Sequence, residues 1–299
     1  MKVCLACAHR FTAAEWKCPR CDWVVAVRDG VHLLTPSQED GASGFEAGFF
    51  TKVDEAERSH FWFHGRLALI EFALDRFFPH ARTFLDVGSG TGHVVAELRR
   101  HRPAMRFTAA EAFMAGLQMT AQRTIDVELV QTDALHLPYD AEFDVVGAFD
   151  VIEHIADDLD AVQEMVRAMG PDGGLILTVP QHAFLWSAYD EHVRHQRRYS
   201  RAGLSLLLDR AGCEIVFATS FVSFLLPALF LARVLRGARR DDPLSEFRAS
   251  SVVNAIGHAL ARVERWVIRS GGSFPAGGSL LVVARRKGDR LSGESPVHP

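Results

Sequence analysis

The stretch Thr-Phe-Leu-Asp-Val-Gly-Ser-Gly-Thr-Gly-His, residues 83–93, decides the fold of this chain. A short apolar run surrounds Asp86, three glycines follow at alternate positions, and Val94 begins a pattern with helical spacing. Strand, glycine turn and helix in this order are typical of a sheet that binds a ligand at the carboxyl end of a parallel strand. Glycine permits the tight turn and lets the backbone approach that ligand without an intervening Cβ atom.

The spacing of the glycines distinguishes between two kinds of ligand. The dinucleotide fingerprint G-x-G-x-x-G requires a glycine at position 93, where this chain has His93. The pattern present, D-x-G-x-G-x-G, resembles motif I of the class I S-adenosylmethionine (SAM)-dependent methyltransferases; the alternative is an ordinary strand–helix turn. The resemblance implies that the turn binds SAM through Asp86, Gly88, Ser89, Gly90 and Gly92.

Two further acids follow predicted strands downstream of the turn. The strand Arg106–Glu111 ends on Glu111, and the strand Val127–Gln131 is followed by Asp133. An acid at the position of Glu111 can bind both ribose hydroxyls, in nicotinamide enzymes as well as in SAM enzymes. The resemblance assigns Asp133 to the adenine amino group. Each acid alone could instead cap a helix. The predicted cofactor site therefore also includes Glu111, Ala112, Asp133, Ala134 and Phe149.

The resemblance continues through FDVVGAFDVIEHI (143–155) and PDGGLILTVP (171–180). These segments are similar to the fourth and fifth strands of a subgroup that includes the ubiquinone-biosynthesis O-methyltransferases. The similarity runs from about residue 61 to 199 and resumes at 278–285. It implies an α/β fold, a Rossmann-like seven-stranded sheet that is parallel except for its last strand, with helices on both faces.

Candidate catalytic groups must stand at the carboxyl ends of the central strands. Methyl transfer from a sulfonium depends mainly on positioning and requires a base only for a poorly ionised nucleophile. Residues 181–199 combine aromatic and imidazole side chains, which suits an acceptor pocket, although such a loop also arises from ordinary pairing of His and Arg with acids. We expect His182 and His195 to remove the proton, with His154 as a third catalytic candidate.

A divalent metal is an alternative to a base. In the ubiquinone O-methyltransferases, a Glu-x-x-Glu-His cluster is implicated in metal binding, and this chain has Asp150, Glu153 and His154 at those positions. The first position is Asp rather than Glu, and the sequence offers no third firm ligand.

Four of the five cysteines lie in the first 21 residues, as two C-x-x-C pairs: Cys4, Cys7, Cys18 and Cys21. Two such pairs separated by a short loop resemble a zinc ribbon, in which four thiolates hold a structural zinc ion. Disulfides are the alternative, but we expect no signal peptide and a cytoplasmic location, where thiols stay reduced. Nothing in the sequence connects the ribbon to the cofactor site, so we expect loss of zinc to leave SAM binding intact.

Residues 220–272 form an insertion before the last strand, where this fold usually has a short turn. The uncharged run 215–232 is followed by Arg233, Arg236, Arg239 and Arg240, and 261–269 is a second basic amphipathic segment. An apolar face flanked by arginines suits a helix lying on an anionic membrane. Two interpretations stay open: a helical lid over the acceptor pocket or a homodimer contact, which we favour slightly, and a peripheral contact with the inner face of the membrane through 220–240. Either way we expect a small, hydrophobic or lipid-like acceptor.

The chain of 299 residues has room for one large domain with appendages. The predicted organisation is a zinc ribbon (1–34), a linker (35–58), a methyltransferase core (59–219), the helical insertion (220–272), the last strand (273–287) and a disordered tail (288–299). The expected function is O-methylation of the acceptor. An rRNA base methyltransferase is the runner-up, although a net charge of −4 argues against nucleic acid as a partner. A non-catalytic SAM-binding scaffold is the third alternative.

Overall fold

A computed structural model describes residues 1–35, 47–236 and 250–288 of the chain. The strands are β1 (Lys2–Val3), β2 (Arg10–Phe11), β3 (Ala26–Arg28), β4 (Val31–Leu33), β5 (Thr83–Val87), β6 (Arg106–Glu111), β7 (Val127–Gln131), β8 (Phe143–Phe149), β9 (Met169–Pro180), β10 (Cys213–Phe221) and β11 (Ser279–Arg286). The α-helices are α1 (Ala47–Glu57), α2 (Phe61–Phe77), α3 (His93–His101), α4 (Met114–Arg123), α5 (Asp158–Ala168), α6 (Ala188–His192), α7 (Arg201–Arg210), α8 (Leu226–Arg236) and α9 (Ser251–Arg269). Short 3-10 turns span Ile152–His154 and Ala183–Leu185.

The main sheet has the strand order β10-β11-β9-β8-β5-β6-β7-β4-β3 among the described residues. Strand β5 lies in the middle and pairs in parallel with β6 and with β8. Strand β11 is antiparallel to both β9 and β10. The seven strands from β10 to β7 therefore form the predicted Rossmann-like sheet with its antiparallel last strand, and the fold prediction is confirmed.

The sheet is buried on both faces, as expected for a parallel sheet between two layers of helices. Leu85 belongs to a core that includes Val162 of α5 and Leu204 of α7. Its neighbour Phe84 belongs to the opposite core, with Ile70 of α2 and Leu117 of α4. Successive residues of β5 thus pack against different helix layers, which fixes the strand in the centre of the molecule.

The N-terminal segment extends this sheet, which the sequence analysis did not anticipate. Strand β4 pairs in parallel with β7, through Val31 opposite Leu129, and β3 closes the edge as an antiparallel hairpin with β4. The segment predicted as a ribbon, 1–34, therefore divides: its first part surrounds the cysteines, and residues 26–33 belong to the main sheet. The boundaries of the domains stay a prediction, but the segment is not detached from the core.

The predicted linker, 35–58, needs a correction over its second half. Residues 47–57 form α1, a full helix, because Phe50, Val53 and Glu57 lie on one face and pack against the core. The Gly and Ser residues of 36–46 favour a linker, whereas the apolar residues of 47–57 favour the helix. Residues 36–46 themselves lie outside the described part of the chain.

The insertion 220–272 contains α8 and α9, as expected for a helical element. Helix α9 packs across α2, where a Cβ atom on Gly65 would lie 3.6 Å from Ala261 Cβ. No described helix is long and apolar enough to cross a membrane. Arg239, Arg240 and the side chain of Arg236 lie outside the described residues, as does the predicted tail apart from Gly288.

Candidate active site

A cavity of about 550 Å³ opens at the carboxyl ends of β5, β6, β7 and β8. Its volume lies within the range usual for sites that bind small molecules. The position is the one expected for a ligand in an open α/β sheet. Nine of the ten predicted cofactor residues line it: Asp86, Gly88, Ser89, Gly90, Glu111, Ala112, Asp133, Ala134 and Phe149.

The glycines of the turn serve different purposes. Gly90 has φ +55°, and a Cβ atom built on it would meet nothing within 4 Å, so its missing side chain leaves room in the cavity. At Gly88 a Cβ atom would lie 2.6 Å from a methyl carbon of Val151, so this position needs glycine for packing. Gly92, the tenth predicted residue, is the N-cap of α3 and is not among the residues that line the cavity. A Cβ atom there would collide with Thr120 of α4.

Three carboxyl groups face the cavity from three successive strand ends. Asp86 is almost fully buried, and burial raises its pKa to about 8. Burial also raises the pKa of Glu111, although that carboxylate accepts hydrogen bonds from the backbone N–H groups of Gly90 (2.8 Å) and Ala112 (2.8 Å). Asp133 accepts one from the N–H of Leu135 at 2.9 Å. This arrangement of acids around an open glycine turn fits a cationic ligand such as SAM.

Helix α1 closes one side of the cavity and was missed by the sequence analysis. Phe49, Phe50, Val53 and Glu57 all line the cavity from this helix. The carboxylate of Glu57 accepts hydrogen bonds from Thr91 Oγ1 (2.8 and 2.6 Å) and from Arg123 Nη2 (2.8 Å). The helix is thereby anchored to the glycine turn. The apolar pair Phe49-Phe50, followed three residues later by Val53, was the available sequence signal.

Helix α2 contributes a buried arginine, as well as Trp62 and Phe63, to the cavity. Arg66 donates a 2.7 Å hydrogen bond to Asp150 Oδ2 and lies 4.6 Å from the ring centroid of Trp62. Thr178 Oγ1 donates to the same Asp150 oxygen at 2.8 Å. The guanidinium charge also opposes the rise of the Asp86 pKa. The start of α2 therefore forms part of the cavity wall, through Trp62, Phe63 and Arg66.

The three predicted catalytic histidines occupy different places. His154 lines the cavity, and its Nδ1 lies 2.9 Å from the carbonyl oxygen of Val193. His195 lies behind it, with ring centroids 4.5 Å apart in an edge-on contact. His182 is not among the residues that line the cavity, and its ring stacks on Phe184. The structure thus brings together two of the three.

His195 belongs to a chain of buried polar side chains. Its Nδ1 lies 2.7 Å from Asp190 Oδ1, and Arg198 holds both oxygens of that carboxylate at 2.8 and 2.9 Å. These donors hold the pKa of Asp190 far below its usual range, against the effect of burial. On its other side, His195 Nε2 lies 3.9 Å from Glu153 Oε1.

The side chains that could hold a divalent metal in the structure differ from the three that the sequence suggested. Asp150 is engaged by Arg66 and Thr178. Glu153, His154 and His195 have ligand atoms within 4.8 Å of one another. Glu153 is fully buried, which raises the pKa of its carboxyl group well above the ordinary value.

The four N-terminal cysteines converge as the sequence predicts. Their sulfur atoms lie within 4.8 Å of one another, with Cys4 and Cys21 separated by 3.6 Å and Cys7 and Cys18 by 3.7 Å. Tetrahedral zinc with Zn–S bonds of about 2.3 Å places its sulfur ligands about 3.8 Å apart. The thiols therefore fit the ion, and none of the five cysteines forms a disulfide.

Comparison with known proteins identifies the family. Residues 55–217, more than half of the chain, match the sequence model of a methyltransferase domain. The chain belongs to the methyltransferase domain family. Together with the fold and the cavity, this makes it a class I SAM-dependent methyltransferase.

Two curated relatives of this methyltransferase act on different molecules. It is 32% identical over 101 residues to the demethylmenaquinone methyltransferase of Deinococcus radiodurans, covering 32% of the chain and 42% of the relative. It is 27% identical over 226 residues to the 27-O-demethylrifamycin SV methyltransferase of Amycolatopsis mediterranei, covering 68% and 76%. The chain therefore spans less than half the length of the first relative.

A solved structure supports the fold independently. The complex between the Haloferax volcanii Trm112 methyltransferase activator and a methyltransferase aligns with a TM-score of 0.56 at 20% identity, covering 84% of this chain and 99% of that one. At this identity the likeness is one of fold.

Proposed function

We propose that this methyltransferase moves the methyl group of SAM to an oxygen atom of a small hydrophobic acceptor. The observation that carries the proposal is that the imidazole of His154 and the three carboxyl groups of the cofactor end line one cavity. A cofactor and an acceptor bound there would share one cavity, as in-line transfer requires.

The acceptor end is apolar with a few polar groups. Trp62, Phe63, Ile155, Val193 and Tyr189 surround it. No described residue of 220–272 lines it, so we assign α8 and α9 no part in lining the acceptor end. The names of the two relatives, a menaquinone precursor methyltransferase and a 27-O-methyltransferase, favour a quinone-like or hydroxylated ring compound as acceptor.

His154 is the proposed base. When bound, SAM would supply an electrophilic methyl group on its sulfonium sulfur, and transfer of that group to an acceptor hydroxyl oxygen would leave a neutral thioether. The hydroxyl proton moves to the imidazole. Burial, followed by the nearby His195, lowers the pKa of His154 to about 4, so the ring is neutral at neutral pH, while the same shift makes it a weaker base than a free imidazole. Because Nδ1 faces the Val193 carbonyl, we assign the proton-accepting role to Nε2.

His195 is proposed as a positioning residue. It stands edge-on against His154 and is itself fixed by Asp190, which Arg198 holds. The hydrogen-bonded Asp190 fixes the ring of His195, and that ring packs against His154 and restricts its orientation. We leave His182 without a catalytic role because its ring lies on Phe184 at the far side of this loop.

The cysteine cluster is proposed to hold one structural zinc ion. Four thiolates complete a tetrahedral site and leave no open position for chemistry. Phe11 is buried in one cluster with Cys4 and Cys18, and Trp23 packs against that cluster. Elemental analysis of protein purified without chelator is expected to give one zinc per chain.

The decisive experiment is methyl transfer from radiolabelled SAM to fractionated cell extract, separated into lipid and small-molecule, RNA and protein fractions. We expect label in the lipid and small-molecule fraction, and loss of that label with His154→Gln. Label in RNA would favour the rRNA methyltransferase alternative. SAM binding without label in any fraction would favour the non-catalytic scaffold.

A further inference from the structure

Helix α9 has three faces of different character. A narrow face meets the protein body and consists of small or inward-turned residues, namely Gly257, Ala261, Glu264 and Ile268. Gly257 is needed there because a Cβ atom would lie 2.5 Å from the ring of Phe61. The helix therefore lies close against α2 but buries only this strip of its surface.

The broad apolar face of α9 points to solvent. Its residues recur at intervals of four and three, the spacing of one helical stripe: Val252, Ile256, Ala259, Val263 and Trp266. Trp266 is 70% exposed, Val252 65%, Ile256 51% and Val263 49%. A helix that only supported the fold would turn this stripe inward. Here the most apolar side is the one that the body does not cover.

The third face is basic. Arg262 and Arg269 lie beside the apolar stripe and are exposed, and Arg265 is half-buried. The single acid of the helix, Glu264, is buried and accepts hydrogen bonds from the N–H groups of Val222 (2.9 Å) and Phe224 (2.9 Å). Every exposed charge of α9 is therefore positive, in a chain with net charge −4.

We propose that α9 docks this protein onto an anionic lipid surface. The apolar stripe enters the boundary between head groups and acyl chains, and the arginines along its border pair with lipid phosphates. An exposed tryptophan fits this level of a bilayer because its ring is apolar and its N–H is polar. The helix lies on the surface and does not span it. The inference is independent of the acceptor, and it moves the expected contact from 220–240 to 251–269.

Charge decides between a membrane and a second copy of the chain. Two copies packed through this stripe would bring exposed arginines of the same sign close together, with no exposed acid on either helix to pair with them. An anionic surface turns the same arginines into an attraction.

The test is co-sedimentation of the full chain with vesicles of phosphatidylglycerol and phosphatidylcholine in equal parts, against phosphatidylcholine alone. We expect binding to the anionic vesicles that weakens with salt. Arg262→Glu with Arg269→Glu should weaken it by at least about thirtyfold. Val263→Gln with Trp266→Gln should abolish it. Because these side chains are exposed, both variants are expected to fold, which circular dichroism checks.

Matched controls carry the same changes elsewhere on the surface. Ile125 and Leu206 are 78% and 62% exposed, so Ile125→Gln with Leu206→Gln also replaces two exposed apolar side chains by Gln without touching α9. Arg76→Glu with Arg210→Glu makes the same change of net charge. Both controls should bind vesicles like the unaltered protein. Equal loss in the controls, or no vesicle binding at all, overturns the proposal. A dimer in sedimentation velocity that Val263→Gln with Trp266→Gln dissociates, without lipid binding, would assign the face to a second copy.

Discussion

The indole Nε1 of Trp16 donates a 2.8 Å hydrogen bond to Oε1 of Glu128 in β7, and this bond links the cysteine segment to the edge of the cofactor-binding sheet. Lys2 strengthens the link, since its Nζ lies 3.3 Å from the same carboxylate and 4.5 Å from the centre of the Trp16 ring. Further along, the N–H groups of Leu34 and Thr35 both donate to the carbonyl of Gln131. The next residues, 132–135, line the cavity.

The cysteine segment also contacts the far end of the loop 132–138, where the N–H of Val3 donates a 2.8 Å hydrogen bond to the carbonyl of Pro138. Loss of zinc should therefore affect the cofactor site, contrary to the expectation from sequence. We predict that Cys18→Ser loses the metal, lowers the melting temperature and weakens SAM binding by about tenfold, or 1.4 kcal/mol, because 132–135 must then be ordered on binding. Isothermal titration calorimetry with SAM measures the change in SAM affinity. Cys213→Ala, outside the cluster, is the control. Unchanged SAM affinity in metal-free protein would mean that the two sites are independent.

Gly90 offers a test of the cofactor site with a well-matched control. Gly90→Val should abolish measurable SAM binding, because the side chain would project into space that is open in the cavity. The positive φ itself costs roughly 1–2 kcal/mol for a residue with a side chain. Gly212 has φ +82° and also meets nothing within 4 Å, so Gly212→Val carries similar strain away from the cavity. Isothermal titration should give normal SAM affinity for Gly212→Val. Normal affinity for Gly90→Val as well would refute the cofactor assignment.

The raised pKa of Asp86 predicts that cofactor binding is coupled to the release of a proton. Burial raises its pKa from the ordinary 3.8 to about 8, so the carboxyl group is largely neutral at pH 7 in the protein alone. A cationic ligand favours the ionised form, so binding at pH 7 should release up to about one proton, and affinity should rise until about pH 8. Calorimetry in buffers of different ionisation enthalpy measures the release, which should vanish in Asp86→Asn.

The raised pKa of Asp86 also predicts that the fold becomes less stable as the pH rises. A carboxyl group with a raised pKa contributes stability that is complete below pH 3.8 and is lost as the pH rises through about 8. Four pKa units correspond to about 5 kcal/mol as an upper limit. Asp86→Asn should therefore be more stable than the unaltered protein at pH 9, measured by urea unfolding without SAM. A less stable variant would show that the ionised carboxylate is well satisfied in the fold.

The sequence predicted the parts of the site that local backbone chemistry determines. Gly90 and the acids Asp86, Glu111 and Asp133 stand at strand ends, and strand ends are readable from apolar runs and turns. Contacts between distant segments were not readable. The pairing of β4 with β7 joins residues about a hundred positions apart, and nothing in three residues of strand specifies a partner. The environment of Asp150 likewise depends on Arg66, 84 positions earlier, so its loss as a metal-ligand candidate required the structure.

The histidine pair gives the last prediction, which concerns the pH profile of catalysis. His154→Gln should lower kcat by about 10²- to 10⁴-fold and leave SAM affinity unchanged, because the ring is proposed to accept the proton and not to hold the cofactor. In the unaltered enzyme the acid limb of the pH–rate profile should reflect a pKa near 4, where His154 becomes protonated and inactive.

His195→Gln tests the positioning role with a readout that simple misfolding would not produce. The charge of His195 is the second cause, after burial, of the lowered pKa of His154. Removing it should raise that pKa, so the acid limb of kcat should move to higher pH while the Kd for SAM stays constant. His182→Gln is the matched control, because its ring stacks on Phe184 away from the cavity and its loss should leave the limb in place. An unshifted limb in His195→Gln, or an equal shift in the control, would assign His195 to structure alone.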